Sequence, residues 1–245
     1  ISTSGISVRE PVNEGILFPG LILPDVDIAY AGTFQIRCSV QAIYRRQTED
    51  AAHCGLVILD MDFHSYSRLN DLLGRSMDPH TFISTEVDMD ALWEFFFDTG
   101  FLYAKKYRLL QSYKDRFKET YRKLYQENPD IARHITYEKD GRIYGHMSMV
   151  KAYERAWMIH HHAARNLENR LPGFQVLKQI MIFLNGMCHL PSAKMDYVMC
   201  YYRPDNKFPE RVFGDFARHL NDRRGCSLDL FAYLTWPAAN AAPLP

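Results

Sequence analysis

Trp157-Met158-Ile159-His160-His161-His162-Ala163 and Arg170-Leu171-Pro172-Gly173-Phe174-Gln175 stand on either side of a short polar segment. The first stretch reads as a strand over residues 156–163, and the second leads into a helix over residues 175–184. Working outward toward the C-terminus, residues 197–202 read as a strand, 209–220 as a helix and 228–234 as a strand. Toward the N-terminus, residues 131–139 and 141–150 are strands joined by Asp140-Gly141, a strong two-residue hairpin signal. Residues 104–126 carry Tyr107, Leu110, Phe117, Tyr121 and Leu124 at helical spacing, with Lys105, Lys106, Arg108, Lys118, Arg122 and Lys123 between them. That pattern is an amphipathic helix whose charges form a solvated face. Asp88 caps a helix over 88–100 with an aromatic face of Trp93, Phe96 and Phe97, and residues 81–87 form a strand ahead of it. The second part of the chain is therefore α/β with a mixed sheet.

The first part has a different grammar. Residues 1–46 are short β-branched and aromatic runs separated by turn residues such as Pro19-Gly20 and Gly32, and residues 54–60 form a further strand. Residues 65–76 put Tyr66, Leu69, Leu72 and Leu73 on one helical stripe. Asp78-Pro79 ends that helix, because a residue before proline is pushed out of the α region. The expected fold class is α+β, with domains over 1–78 and 81–236 and an Ala/Pro-rich tail over 237–245.

The 29 basic residues equal the 29 acidic ones, so no overall field recruits a nucleic acid polymer or an anionic surface. The 5 cysteines are an odd number with no C-x-x-C pair, which argues against a disulfide framework and a thiolate metal site and for reduced thiols in a cytoplasmic protein. No apolar run reaches the roughly 20 residues of a membrane span; Lys178, Gln179 and Asn185 break the best candidate. The chain opens on Ile1 within a polar, strand-like segment, and is read as a fragment.

Ser2-Thr3-Ser4-Gly5, followed by Cys54-Gly55-Leu56-Val57-Ile58-Leu59-Asp60-Met61-Asp62 and a closing helix, resembles the PilZ family and its D/N-x-S-x-x-G signature. That resemblance implies a partial antiparallel PilZ β-barrel over residues 1–78 that binds cyclic di-GMP through Ser2, Ser4 and Gly5. The arginine segment of that family is absent. The chain is thus expected to be a receptor whose second domain is an output module, with a protein partner for that domain.

Residues 81–236 resemble the GNAT acyltransferase superfamily. Arg170-Leu171-Pro172-Gly173-Phe174-Gln175 is similar to its Q/R-x-x-G-x-G/A loop, which receives a pyrophosphate on bare backbone N–H groups. Gln175 stands in place of the last small residue, and Pro172 removes a donor. Asn206-Lys207-Phe208-Pro209-Glu210-Arg211-Val212-Phe213 is similar to Asn-x-x-Ala-x-x-x-Tyr, with Pro209 in the alanine position and Phe213 in place of the tyrosine acid. The resemblance implies coenzyme A or an acyl-CoA held by Arg170, Gly173, Gln175 and Asn206. The alternative function is therefore an acyl-CoA-dependent N-acyltransferase, and a second alternative is an inactive adaptor.

Strand alternation puts His160 and His162 on one face and His161 on the other, with His146 on the neighbouring strand. Histidines hydrogen-bonded within a sheet, a metal site and a general base are the three readings of this group. His146, His160 and His162 are the candidate catalytic residues, and no metal site is assigned.

Overall fold

Along residues 34–42 every second side chain is apolar, and the chain obeys: Ile36, Cys38, Val40 and Ala42 are buried while the residues between them are not. Four antiparallel strands form on this pattern, β1 (Gly5–Pro11), β2 (Ile22–Tyr30), β3 (Phe34–Gln47) and β4 (Ala51–Met61), in the order β1-β4-β3-β2. The computed structural model describes residues 1–30, 32, 34–84, 86–102, 108, 110–168 and 170–232. The expected tail over 237–245 and most of residues 103–109, at the start of the expected 104–126 helix, lie outside these.

The sheet is open. β1 and β2 are its two edges and no ladder joins them among the described residues, so the expected PilZ barrel is corrected to an open four-stranded sheet. Alternation specifies a half-buried strand, but closure depends on tilt and stagger that bring the first and last strands together. The expected ligand motif is also closed on itself. Ser2 Oγ donates to Gly5 O at 3.1 Å and accepts from Gly5 N at 3.1 Å, so Ser2, Ser4 and Gly5 make an exposed local turn. The cyclic di-GMP receptor reading is withdrawn on these grounds, together with the nucleotide as a partner.

Asp62 starts α1 (Phe63–Met77) by accepting from Ser65 N at 2.9 Å, satisfying one of the orphan donors of the first turn. The helix buries Tyr66 and Leu69 and ends at Asp78, ahead of Pro79. A second sheet follows from β5 (Thr81–Ser84), β6 (Ala132–Lys139), β7 (Arg142–Tyr153), β8 (Ala156–Ala164) and β9 (Tyr197–Cys200), in chain order. Asp140 and Gly141 both take positive φ, 52° and 71°, as the hairpin signal required. Among the described residues only β8 and β9 pair in parallel, because α4 (Pro172–Met187) carries the chain back between them.

Helices α2 (Met89–Asp98) and α3 (Lys114–Arg122) cover one face, where Trp93, Phe95, Phe96, Tyr121 and Tyr125 pack over Ala132 and Ile143. Lys114 and Lys118 of α3 pair with Asp90, in keeping with a solvated basic face. α1 and α4 cover the other face. There Tyr66 Oη donates to Phe183 O at 2.6 Å, and the buried Arg133 donates from Nε to Ser67 Oγ at 3.0 Å beneath the Phe63 ring. Gly186 is required at this contact, since a Cβ would collide with the Tyr66 hydroxyl. Residues 1–200 form one compact unit that carries both sheets, and residues 201–245 form a second.

Within the second unit, helical turns from Lys207 lead into α5 (Asp215–Leu220), and Arg218 bonds Glu210 at 2.6 Å and Asp215 at 2.8 Å. The described part of the expected 228–234 strand is irregular, with Leu230 86% exposed. A strand pattern without a partner ladder leaves its backbone groups to water. No helix among the described residues is long and apolar enough to cross a membrane.

Candidate active site

The site is built around one extra residue in β8. The β7–β8 register runs His146↔Ala163 and then Ser148↔His160, so Met147 alone faces both His161 and His162. His161 takes φ 55°, a conformation that non-glycine residues rarely adopt. A bulge of this kind shifts every later side chain to the opposite face. His160 and His161 therefore both point toward α3, and His162 points toward α4, which corrects the expectation that His160 and His162 share a face. A bulge leaves no mark in the alternation of a run as short as Ile159-His160-His161-His162.

On the α2–α3 face the two imidazoles meet two tyrosines one helical turn apart. Tyr125 Oη lies 2.9 Å from His160 Nε2, and the Tyr121 hydroxyl bonds His161 Nδ1 with the two rings stacked at 7°. Behind them, His146 Nδ1 donates to His161 O at 2.9 Å, which leaves His146 Nε2 to accept from His134 Nδ1 at 2.7 Å. Both rings are fully buried. Burial disfavours their cationic forms, pushing His146 down to about 3 and holding His134 well below the usual imidazole range. The neighbouring imidazoles add to this for His134, and a bond to the His161 carbonyl partly opposes it for His146. Burial likewise brings His160 down to about 4, so all three rings are neutral at physiological pH. Burial raises Tyr121 and Tyr125, which keep their protons.

On the opposite face His162 Nε2 donates to Gly173 O at 2.9 Å, tying the strand to the first turn of α4. Two glycines permit this approach. A Cβ on Gly173 would lie 2.8 Å from the Ala164 Cβ, and one on Gly145 would lie 2.8 Å from Pro172 O. Gly145→Ala is expected to cost about 1–3 kcal/mol, because the obstructing atom is backbone and cannot swing away. Urea unfolding of the variant measures this, and an unchanged midpoint would show that α4 does not need so close an approach.

The β8–β9 ladder ends at the Ile159–Cys200 pair, while β8 itself runs on to Ala164 and then into α4. α4 begins only at Pro172, after a short polar segment beyond Ala164. Arg170 stands ahead of it with Nη1 donating to Tyr137 Oη at 2.5 Å, and Gln175 N donates to Leu171 O in the first turn. Gly173 and Gln175 lie in the first turn of α4, and Arg170 precedes it. Asn206 opens the helical turns of the second unit, and Phe213 lies within them. No group of three or more His, Cys, Asp or Glu among the described residues is arranged to hold a metal ion.

Sequence reasoning missed His134, Ser148 and the pairing of Tyr121 and Tyr125 with histidines. Only the i,i+4 spacing of the two tyrosines hinted at a shared target, and that spacing equally marks a core stripe.

No family model matches the chain, and no curated protein is similar to it. Among solved structures it is similar to a probable acetyltransferase, at 14% identity and a TM-score of 0.44 over 66% of this chain and 99% of the other. It is also similar to glucosamine-6-phosphate N-acetyltransferase from Arabidopsis thaliana, at 14% identity and a TM-score of 0.36, covering 64% of this chain and 97% of that one. A third is ribosomal-protein-alanine N-acetyltransferase from Brucella melitensis biovar Abortus 2308, at 11% identity and a TM-score of 0.41, covering 64% and 98%.

Proposed function

We propose that this chain is an acyl-CoA-dependent N-acyltransferase. The observation that carries the reading is the course of β8, which outruns its ladder with β9, bulges at His161 and feeds the N-terminus of α4 across two glycines. A helix N-terminus suits a pyrophosphate, and the absence of a side chain at Gly173 lets the start of α4 lie close against Ala164 and His162. Arg170, Gly173 and Gln175 would hold the coenzyme there. The bound thioester supplies an acyl carbon that an amine nitrogen attacks: the C–N bond forms, the C–S bond breaks, and the sulfur leaves with the electron pair and is protonated by solvent.

This chain's own contribution is to take the amine's proton. Among the three histidines, His146 has both ring nitrogens bonded and is fully buried, and His162 is committed through Nε2 to Gly173 O. We assign the step to His160, which is partly exposed and whose bonded ring nitrogen, Nε2, faces a hydroxyl, Tyr125 Oη, at 2.9 Å in place of a carbonyl. Isothermal titration of the full chain with acetyl-CoA tests the reading. Micromolar binding that weakens about tenfold in Arg170→Ala, the effect of losing one charge-assisted bond, is the expected result. No heat at about millimolar ligand, a thousandfold above the expected affinity, would remove it.

A further inference from the structure

The carbonyl of the strained residue in β8 is held by a side chain. One extra residue opposite Met147 interrupts the β7–β8 ladder, and the His161 carbonyl oxygen lies 2.9 Å from His146 Nδ1. A carbonyl oxygen can only accept, so Nδ1 carries a proton. His134 and His146 are both fully buried, and the rings packed on them, Phe96, Tyr121 and Tyr125, bear no negative charge that would offset a cation. His146 is therefore neutral and keeps a lone pair on Nε2, so its 2.7 Å contact with His134 Nδ1 is a bond that His134 donates. His134 Nε2 then holds a lone pair as well, and that buried atom has no hydrogen-bond partner among the described residues. A buried acceptor goes unsatisfied only where something else fixes its ring. Here the bond to His146 fixes it, and the chain of donors runs one way, from His134 to His146 to the His161 backbone.

We propose that His146 is a positioning residue: His134 holds it in the tautomer that donates to the His161 carbonyl, and that bond keeps the bulge of β8 at His161. The φ of 55° at His161 is a local cost that persists where the surroundings over-determine it. The place of the bulge decides which imidazoles meet Tyr121 and Tyr125. With the extra residue at His161, consecutive rings reach the two tyrosines. A bulge displaced by one residue would turn one of those rings to the other side of the sheet. His146, a candidate base by sequence, thus acts on its neighbours through the backbone. That His160 takes an amine's proton rests on the acyltransferase reading above; the hold on the bulge does not.

Long-range proton–nitrogen NMR of the full chain labelled with nitrogen-15 in its histidines reads the pair directly. His134 and His146 are each expected as the Nδ1–H form, with a scalar coupling between His134 Nδ1 and His146 Nε2 across the bond that joins them. His146→Asn places an amide N–H near the position of Nδ1 and is expected to keep the proton–proton contact between the Tyr121 and His161 rings. His146→Leu offers no donor; it is expected to lose that contact and to speed hydrogen exchange of the β8 amides about tenfold, the effect of one lost hydrogen bond. A residue that only filled space would give the reverse order, since leucine suits a buried apolar site better than asparagine. An Nε2–H form of His146, or a ring contact retained in His146→Leu, would overturn the proposal. Should His146→Leu fail to fold, the wild-type spectrum decides: Nδ1–H on His146 with the coupling upholds the proposal, and Nε2–H removes it. Absence of acetyl-CoA binding in a chain that shows the coupled pair would instead count against the acyltransferase reading alone.

Discussion

Acidification from about pH 7.5 to about pH 5 is expected to remove about 2 kcal/mol of stability for each of His146 and His160, about 4 kcal/mol together, with His134 acting in the same direction. The unfolded chain takes up protons on these rings below about pH 6.5. In the folded protein His160 stays neutral down to about 4 and His146 to about 3, with His134 also depressed by burial. Between those limits the unfolded state binds more protons than the folded one, so stability falls as the pH falls and is complete above the unfolded value. Glu10, Asp62 and Asp90 are held below the usual carboxylate range and add their own loss only at lower pH. A loss of this size is a large part of the roughly 5–15 kcal/mol that a domain possesses. Urea titrations at the two pH values measure it, and a flat stability across this window would mean that the histidine rings are hydrated in solution.

Phe96→Ala is expected to cost about 3–5 kcal/mol, the range for removing a fully buried phenyl ring. Phe96 is 0% exposed, and its ring meets His146 edge-on at 5.0 Å and His161 at 5.8 Å. Its removal has a second consequence: a cavity beside a polar ring admits water, which rehydrates His146 and relaxes the penalty on its cation. The variant should therefore be less stable at neutral pH and lose less stability on acidification than the wild type. Equal acid sensitivity in the two proteins would show that Phe96 packs against the cluster without excluding water from it.

Much of the local structure was legible because its causes are local. The Asp88 cap, the Asp140-Gly141 turn and the stop at Asp78-Pro79 each depend on two or three neighbouring residues, and each is found where expected. The first strands were legible for the same reason, since Ile36, Cys38, Val40 and Ala42 alternate within one segment. The PilZ reading failed at the step that joins segments. Ser2 and Gly5 satisfy each other, and the four strands they belong to have two free ends as a sheet.

The candidate site divides along the same line. That a helix begins close after Arg170 was readable from residue order, and α4 starts at Pro172. The faces of the histidines were not. One extra residue opposite Met147 reverses the side of the sheet on which His162 lies, and nothing in the alternation of three identical residues records it.

Residue order by itself determined the periods, caps and turns, because helical and strand spacing, a carboxylate beside free N–H groups and a glycine at positive φ act over a few ångströms of chain. Only the tertiary structure decided that the first sheet stays open, that β8 bulges, and that Tyr121 and Tyr125 of one element close on His161 and His160 of another. Those features are set by register between strands and by burial against helices far away in the sequence, where a shift of one residue changes which groups meet.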